Sequence, residues 1–136
     1  MTRTATGFEP RFDVDYEYGH QGELFVTDII SALKNNRVEV KRKRYEDDQF
    51  YVEYQCLKRG NWEKSGIATT EAELWAFVIA DTGVAVVVTT SRLRDAAAFV
   101  FKHMKGNRRE ERDGSHPTRG VLVPFVMLVD MKRRAA

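Results

Sequence analysis

Two four-residue stretches, Val38-Glu39-Val40-Lys41 and Val52-Glu53-Tyr54-Gln55, each set an acid and a second polar side chain two positions apart. On an extended strand such a pair leaves one face, while Val38, Val40, Val52 and Tyr54 turn to the other. Laid side by side, the two strands would gather two carboxylates, an ammonium and an amide on one patch. Hard carboxylate oxygens suit Mg2+, which fills the rest of its shell with waters and phosphate oxygens. An ion held there would act as a Lewis acid on a phosphoryl group and lower the pKa of an attacking water. Lys41 or Gln55 could orient that water or neutralise charge building on phosphorus. Glu23, on the segment ahead of the strands, could add a third acid. Glu and Lys alternating with Val also describe any half-exposed amphipathic strand, so spacing alone leaves both readings standing.

The elements that would position these residues follow from the periodicity. Residues 22–33 carry Leu24, Phe25, Ile29, Ile30 and Leu33 at helical spacing, closed by Asn35-Asn36. Strands are expected over about 37–43 and 49–56, joined by Tyr45-Glu46-Asp47-Asp48, with Lys58-Arg59-Gly60-Asn61 as a turn and a short strand at 62–64. Thr70 with Glu73 three residues on forms a capping box, which predicts a helix to about Asp81. The β-branched run 84–90 predicts a buried strand, and Ser91 a helix start running to about Lys105. Residues 106–118 read as an exposed, mobile loop. A last strand over 120–130 is interrupted by Pro124, which favours a sheet edge or a bulge. The fold class expected is α/β, one domain with a mixed sheet flanked by helices. Residues 1–18 would form an N-terminal arm packed around Phe8, Phe12 and Tyr16, and 132–136 a basic tail.

At 136 residues, 43% hydrophobic and 31% charged, the chain has globular composition and enough length for a core. Twenty-two basic residues sit among 20 acids, a net charge of +2, which permits nucleic-acid binding without arguing for it. The basic residues gather at 41–44, 102–109 and 132–134, where each group could touch phosphate. A single cysteine, Cys56, excludes an internal disulfide and fits a reducing compartment. With no secretory leader and no apolar stretch long enough to span a bilayer, the expectation is a cytoplasmic protein without a membrane partner.

Gly22-Glu23, Glu39-Val40-Lys41, Tyr51-Val52-Glu53-Tyr54 and Ser65-Gly66-Ile67, followed by Thr70, Ala72 and Trp75, occur in an order that resembles the PD-(D/E)xK nuclease-like superfamily. The branch is the phage-type and archaeal one, related to Holliday junction resolvases and restriction endonucleases. The resemblance runs from about residue 19 to 90 and more weakly through 120–124. It implies a restriction-endonuclease-like α/β domain over 19–131, with Mg2+ or Mn2+ as cofactor and DNA as substrate. The metal ligands it implies are Glu23, Glu39 and Glu53. Its usual lysine after the strand acid is Gln55 here, and Lys41 could replace the missing ammonium. Alternatively Glu39-Val40-Lys41 is itself the motif, with an upstream acid such as Asp28. Ser65 and Gly66 would border the site and, with Arg42 and Lys43, hold phosphate. A phage origin would place the protein in the host cytoplasm.

So small a chain has little surface for reading a long sequence, which favours structure-selective cutting of branched or duplex DNA unless a homodimer forms. The Gln55 departure equally suggests a weakened nuclease fold that binds nucleic acid or a protein partner. A third reading makes the charged strands incidental to a small structural or regulatory protein. Among the other residues, Trp75 reads as core, Trp62 is open, Cys56 reads as a small packing residue, and Arg108-Arg109-Glu110-Glu111-Arg112 as a solvated loop. His20 reads as capping or surface. His103 and His116 lack ligand spacing for zinc.

Overall fold

A computed structural model describes residues 10–43 and 47–130, and the side chains of all of these but 10–14. It is a mixed α/β structure with two sheets and three helices. The chain divides into two compact units, Met1–Asn36 and Arg37–Ala136. The first holds helix α1, Pro10–Lys34, which takes in the expected 22–33 helix and begins well inside the expected arm. Pro10 suits a first helical position because its missing N–H is one that no helix start can pair. Asn36, at φ 59°, ends the helix in the left-handed conformation that asparagine tolerates. Phe8 and the basic tail after Asp130 lie outside the described residues.

The second unit contains strands β1 (Val38–Lys43), β2 (Gln49–Lys58), β3 (Asn61–Lys64), β4 (Leu74–Ile79), β5 (Val84–Thr89), β6 (Arg108–Glu111) and β7 (Thr118–Pro124), with helices α2 (Thr90–His103) and α3 (Phe125–Val129). One sheet has the order β1-β4-β5, with β1 parallel to β4 and β4 antiparallel to β5. The other is antiparallel throughout, in the order β3-β2-β7-β6. A parallel pair needs a long crossover, and the β2–β3 hairpin is inserted within the one that leads from β1 to β4. Consequently β1 and β2 are not neighbours, and the expected side-by-side pairing of Glu39 and Glu53 is replaced by membership of different sheets.

The stretch 74–79 is a strand where a helix was expected. Thr70 spends its hydroxyl on a local turn, accepting from Ala72 N at 3.2 Å, in place of a helix cap. Thr90 then ties the strand entry, its N–H donating to Glu73 O at 2.9 Å and its hydroxyl to Ala72 O at 2.7 Å. Pairing on both sides, with Trp75 and Phe77 turned into the core, outweighs the local helix signal. β5 was expected to be buried, but as an edge strand it leaves Val84 exposed and buries only Val88. α2 starts one residue before Ser91, capped by Thr89, whose Oγ1 accepts from Arg92 N at 3.2 Å. Its buried positions Leu93, Ala96, Ala97 and Val100 follow the helical i, i+3, i+4, i+7 spacing.

Two further corrections concern the C-terminal third. β6 forms inside the segment read as a mobile loop. Pro124 closes β7 at its last residue, and β7 lies inside its sheet, not at an edge. Having no N–H and a φ of −64°, Pro124 stops the ladder opposite Gln49 and leads into α3. The core joins both sheets to α2 and α3 through Phe50, Val52, Trp75, Phe77, Leu93, Val100, Val121, Val123 and Met127. Trp75 is core, as expected, and Cys56 is buried. Among the described residues no helix is long and apolar enough to cross a membrane.

One glycine fixes how the loop after β3 packs on β2. Gly66 has φ 54°, and a Cβ there would collide with the Glu53 carbonyl. Gly66→Ala should therefore cost about 1–3 kcal/mol, whereas Gly106→Ala, in open space, should stay within about 0.5 kcal/mol. Urea unfolding of the two variants, compared at constant m-value, checks the contrast.

Candidate functional site

β2 changes the face it presents partway along. Glu53 stands opposite Gly120 while Gln55 stands opposite Arg119, so Tyr54 is an extra residue, a β-bulge. Gly120 and Arg119 are consecutive on β7 and point to opposite faces, and so must their partners. Glu53 and Gln55 therefore do not share a face, and the reason is that one unpaired residue resets the alternation. Gln55 Oε1 instead accepts from Arg119 Nη1 at 3.4 Å.

The Glu53 face opens on a cleft of about 470 Å³. From β2 it receives Gln49, Tyr51 and Glu53, from β1 Lys41, Arg42 and Lys43, and from β4 the buried rings Trp75 and Phe77. Asp47, Glu111 and Asp113 complete its acidic lining. On β1, Glu39 and Lys41 stand opposite Trp75 and Phe77, and Lys41 Nζ lies 2.9 Å from Glu39 Oε1 and 5.7 Å from the Trp75 ring centroid. Thus Glu39 reaches the site as the partner of Lys41 and is not itself among the cleft-lining residues. Lys43 is almost wholly buried, pairs with Asp47 and lies 6.0 Å from the Phe50 ring centroid. That partner holds the Asp47 carboxyl below its ordinary pKa, helped by the Gln49 N–H. Arg42 pairs with Asp81 at 2.7 Å. Glu23 stands on α1 in the first unit, its Oε2 3.9 Å from His20 Nδ1.

Ser65 and Gly66, expected to border the site, pack on the backbone of β2 and are not among the cleft-lining residues. Gly66 abuts the Glu53 backbone, and Ser65 N donates to Tyr54 O at 3.0 Å. Ser65 Oγ and Trp75 Nε1 are buried with no hydrogen-bond partner among the described residues. Also among the described residues, no three His, Cys, Asp or Glu side chains form a group able to hold a metal ion between them.

Sequence reasoning passed over Tyr51, Glu111 and Asp113. Tyr51 lies flat across Gly120, where a Cβ would come within 2.7 Å of its ring, and its hydroxyl meets Thr118 Oγ1 at 2.7 Å. A glycine inside a β-branched strand marks such a close approach, and that signal was present in the sequence. Burial pushes the Tyr51 phenol up to about 12, against the opposing hydrogen bond from Thr118 and with the negative charges of Glu53 and Glu111 adding to the rise. Glu111 and Asp113 had no sequence signal to separate them from a solvated loop.

Comparison with protein-family models, with curated proteins and with solved structures finds no match to this chain.

Alkaline titration tests the electrostatics of the cleft. Near-ultraviolet difference absorbance should contain a phenolate component with its midpoint near 12 that Tyr51→Phe removes. Because the folded pKa lies above the unfolded value of about 10, the contribution is intact below pH 10. It is lost as pH rises toward 12, so the stability of the unaltered protein should fall more steeply over that window than that of Tyr51→Phe.

Proposed function

We propose that the protein is a divalent-metal-dependent phosphodiesterase acting on DNA, with a restriction-endonuclease-like domain and a preference for branched or duplex structures. The observation that carries this reading is the meeting of Glu53 with Lys41, Arg42 and Lys43 in one open cleft. A carboxylate beside several cations is the pairing that a phosphodiester and its metal require. The donor set fits the ion: Mg2+ is usually held by one or two carboxylates, with waters and substrate phosphates filling its remaining positions. Glu53 would be the principal ligand, with Glu111 and Asp113 on the same cleft, and Glu39 is the further acid of this unit that the family resemblance implies. Bound there, Mg2+ or Mn2+ would supply Lewis-acid polarisation of the phosphoryl group.

The chain's own residues then have distinct roles. Lys41, held by Glu39 and the Trp75 ring, places an ammonium beside the phosphate and stands in for the lysine missing at Gln55. Arg42 and Lys43 extend the positive side along the backbone of the nucleic acid. Tyr51 offers a neutral hydroxyl at physiological pH. Gly66 lets the Ser65 loop close on Glu53 from behind.

A second reading, a nuclease fold that binds nucleic acid without cutting it, is favoured by the position of Gln55. It lies across the sheet from Glu53 and serves Arg119.

Labelled duplex and four-way-junction DNA incubated with the purified protein and Mg2+ or Mn2+ separate these. The enzyme reading expects cutting that falls by about a hundredfold or more in Glu53→Gln and in Lys41→Met. Calorimetric titration should show Mn2+ binding that Glu53→Gln weakens. Absence of cutting, or cutting that survives Glu53→Gln, defeats the enzymatic proposal. DNA binding without Glu53-dependent Mn2+ affinity selects the second reading.

A further inference from the structure

The face of the β3-β2-β7-β6 sheet turned away from Glu53 has an arrangement of its own. Beyond the bulge, Gln55 and Arg119 share this face, as do Leu57 and Trp62 on the β2–β3 pair. The Arg119 guanidinium carbon lies 3.8 Å from the Trp62 ring centroid. In-plane partners hold it there: Nη1 donates to Gln55 Oε1 at 3.4 Å and Nε lies 3.3 Å from Glu110 Oε1. Glu110 Oε2 accepts from Arg112 Nε at 2.9 Å and Nη2 at 2.6 Å. These two arginines hold the Glu110 carboxyl below its ordinary range, Arg112 contributing most.

A second pair of the same kind stands nearby. Arg108, two residues before Glu110 and on its face, has its guanidinium carbon 3.8 Å from the Phe101 ring centroid, and both Nε and Nη2 donate to Phe101 O. With Arg119 opposite Glu110, Arg108 and Arg119 are diagonal neighbours on one face. Lys64, opposite Gln55, extends the group onto β3. Arg112 and Arg119 thus pair with Glu110, Arg108 stands two residues before it on β6, and Lys64 lies on β3, two strands beyond Arg119. Core packing does not require this surface: Phe101 is 40% exposed and the Arg119 side chain 39%.

Flat cationic planes open to solvent attract the π-faces of nucleobases, and the surrounding charge attracts phosphate. Paired bases hide those faces within a stack, whereas unpaired bases present them. We propose that this face is a binding site for single-stranded nucleic acid. Bases stack on the Arg119–Trp62 and Arg108–Phe101 planes, and phosphates meet Lys64 and Arg112. The site uses neither the cleft nor a metal, and it stands whether or not the cleft cuts DNA.

The test uses the full chain in chelator, so that cleavage plays no part. Fluorescence anisotropy follows binding of a labelled oligothymidylate strand and of a hairpin duplex of equal nucleotide count. The strand should bind at least about fivefold tighter than the duplex. Trp62→Leu and Arg119→Ala should each weaken strand binding about fivefold or more, while Trp62→Phe, which keeps a ring, should retain most of it. In the unaltered protein the indole emission should drop at saturation, because Trp62 is partly exposed and Trp75 is buried. Should Trp62→Leu fail to fold by circular dichroism, Arg119→Lys, which keeps charge but loses the plane, decides together with the emission change. Unchanged affinity in folded Trp62→Leu or in Arg119→Lys, equal affinity for duplex, silent emission at saturation, or no strand binding would each overturn the proposal.

Discussion

Alternation along β2 is the constraint on which both candidate surfaces depend. From Gln49 to Glu53 the odd-numbered residues face the cleft and the even ones, Phe50 and Val52, enter the core. The extra residue at Tyr54 shifts that parity, so Gln55 and Leu57 take the other face beyond it. Without the bulge, Gln55 would line up with Glu53, and Arg119 would lose its amide partner. Gly66 presses on the Glu53 carbonyl just before the irregularity, where only a residue without Cβ can approach so closely. One strand thereby serves a cleft of mixed charge on one side and a guanidinium–indole stack on the other.

Within the cleft, opposite charges are interleaved and not segregated. Lys43 is committed to Asp47, and Lys41 to Glu39 with the Trp75 face beneath it. Tyr51 takes its place through Gly120, whose missing side chain leaves room for the ring to lie flat and reach Thr118. The phenol then sits within the field of Glu53 and Glu111, on strands that flank β7 from either side. A floor made by the buried rings Trp75 and Phe77 keeps these charges on the rim of the core.

Much of this was legible in the order of residues. The helix around 22–33, both charged strands, the strand at 84–89 and the helix that follows it stand where periodicity put them, and Trp75 and Cys56 are buried as expected. Local signals failed where pairing partners distant in sequence decide the outcome. Thr70 and Glu73 have the spacing of a capping box, yet β1 and β5 recruit residues 74–79 as a strand. The partner of β1 could not be read from β1, because its alternation suits any neighbour. A bulge is likewise invisible in Glu53-Tyr54-Gln55, since it exists only relative to β7. Arg108 and Arg112, which looked like a solvated loop, became a platform and its flank only when β6 brought Arg119 alongside.

Among the described residues β1 ends its sheet, with β4 on one side of it and no strand on the other. Three charged side chains, Glu39, Lys41 and Lys43, point to its inner face, opposite the row Trp75, Phe77 and Ile79. A strand from another molecule that tried to extend the sheet there would have to lie against those charges, with little apolar surface to gain. Lys41 and Lys43, which line the cleft, and Glu39 beside them thus also act as a barrier to runaway β-association along this strand.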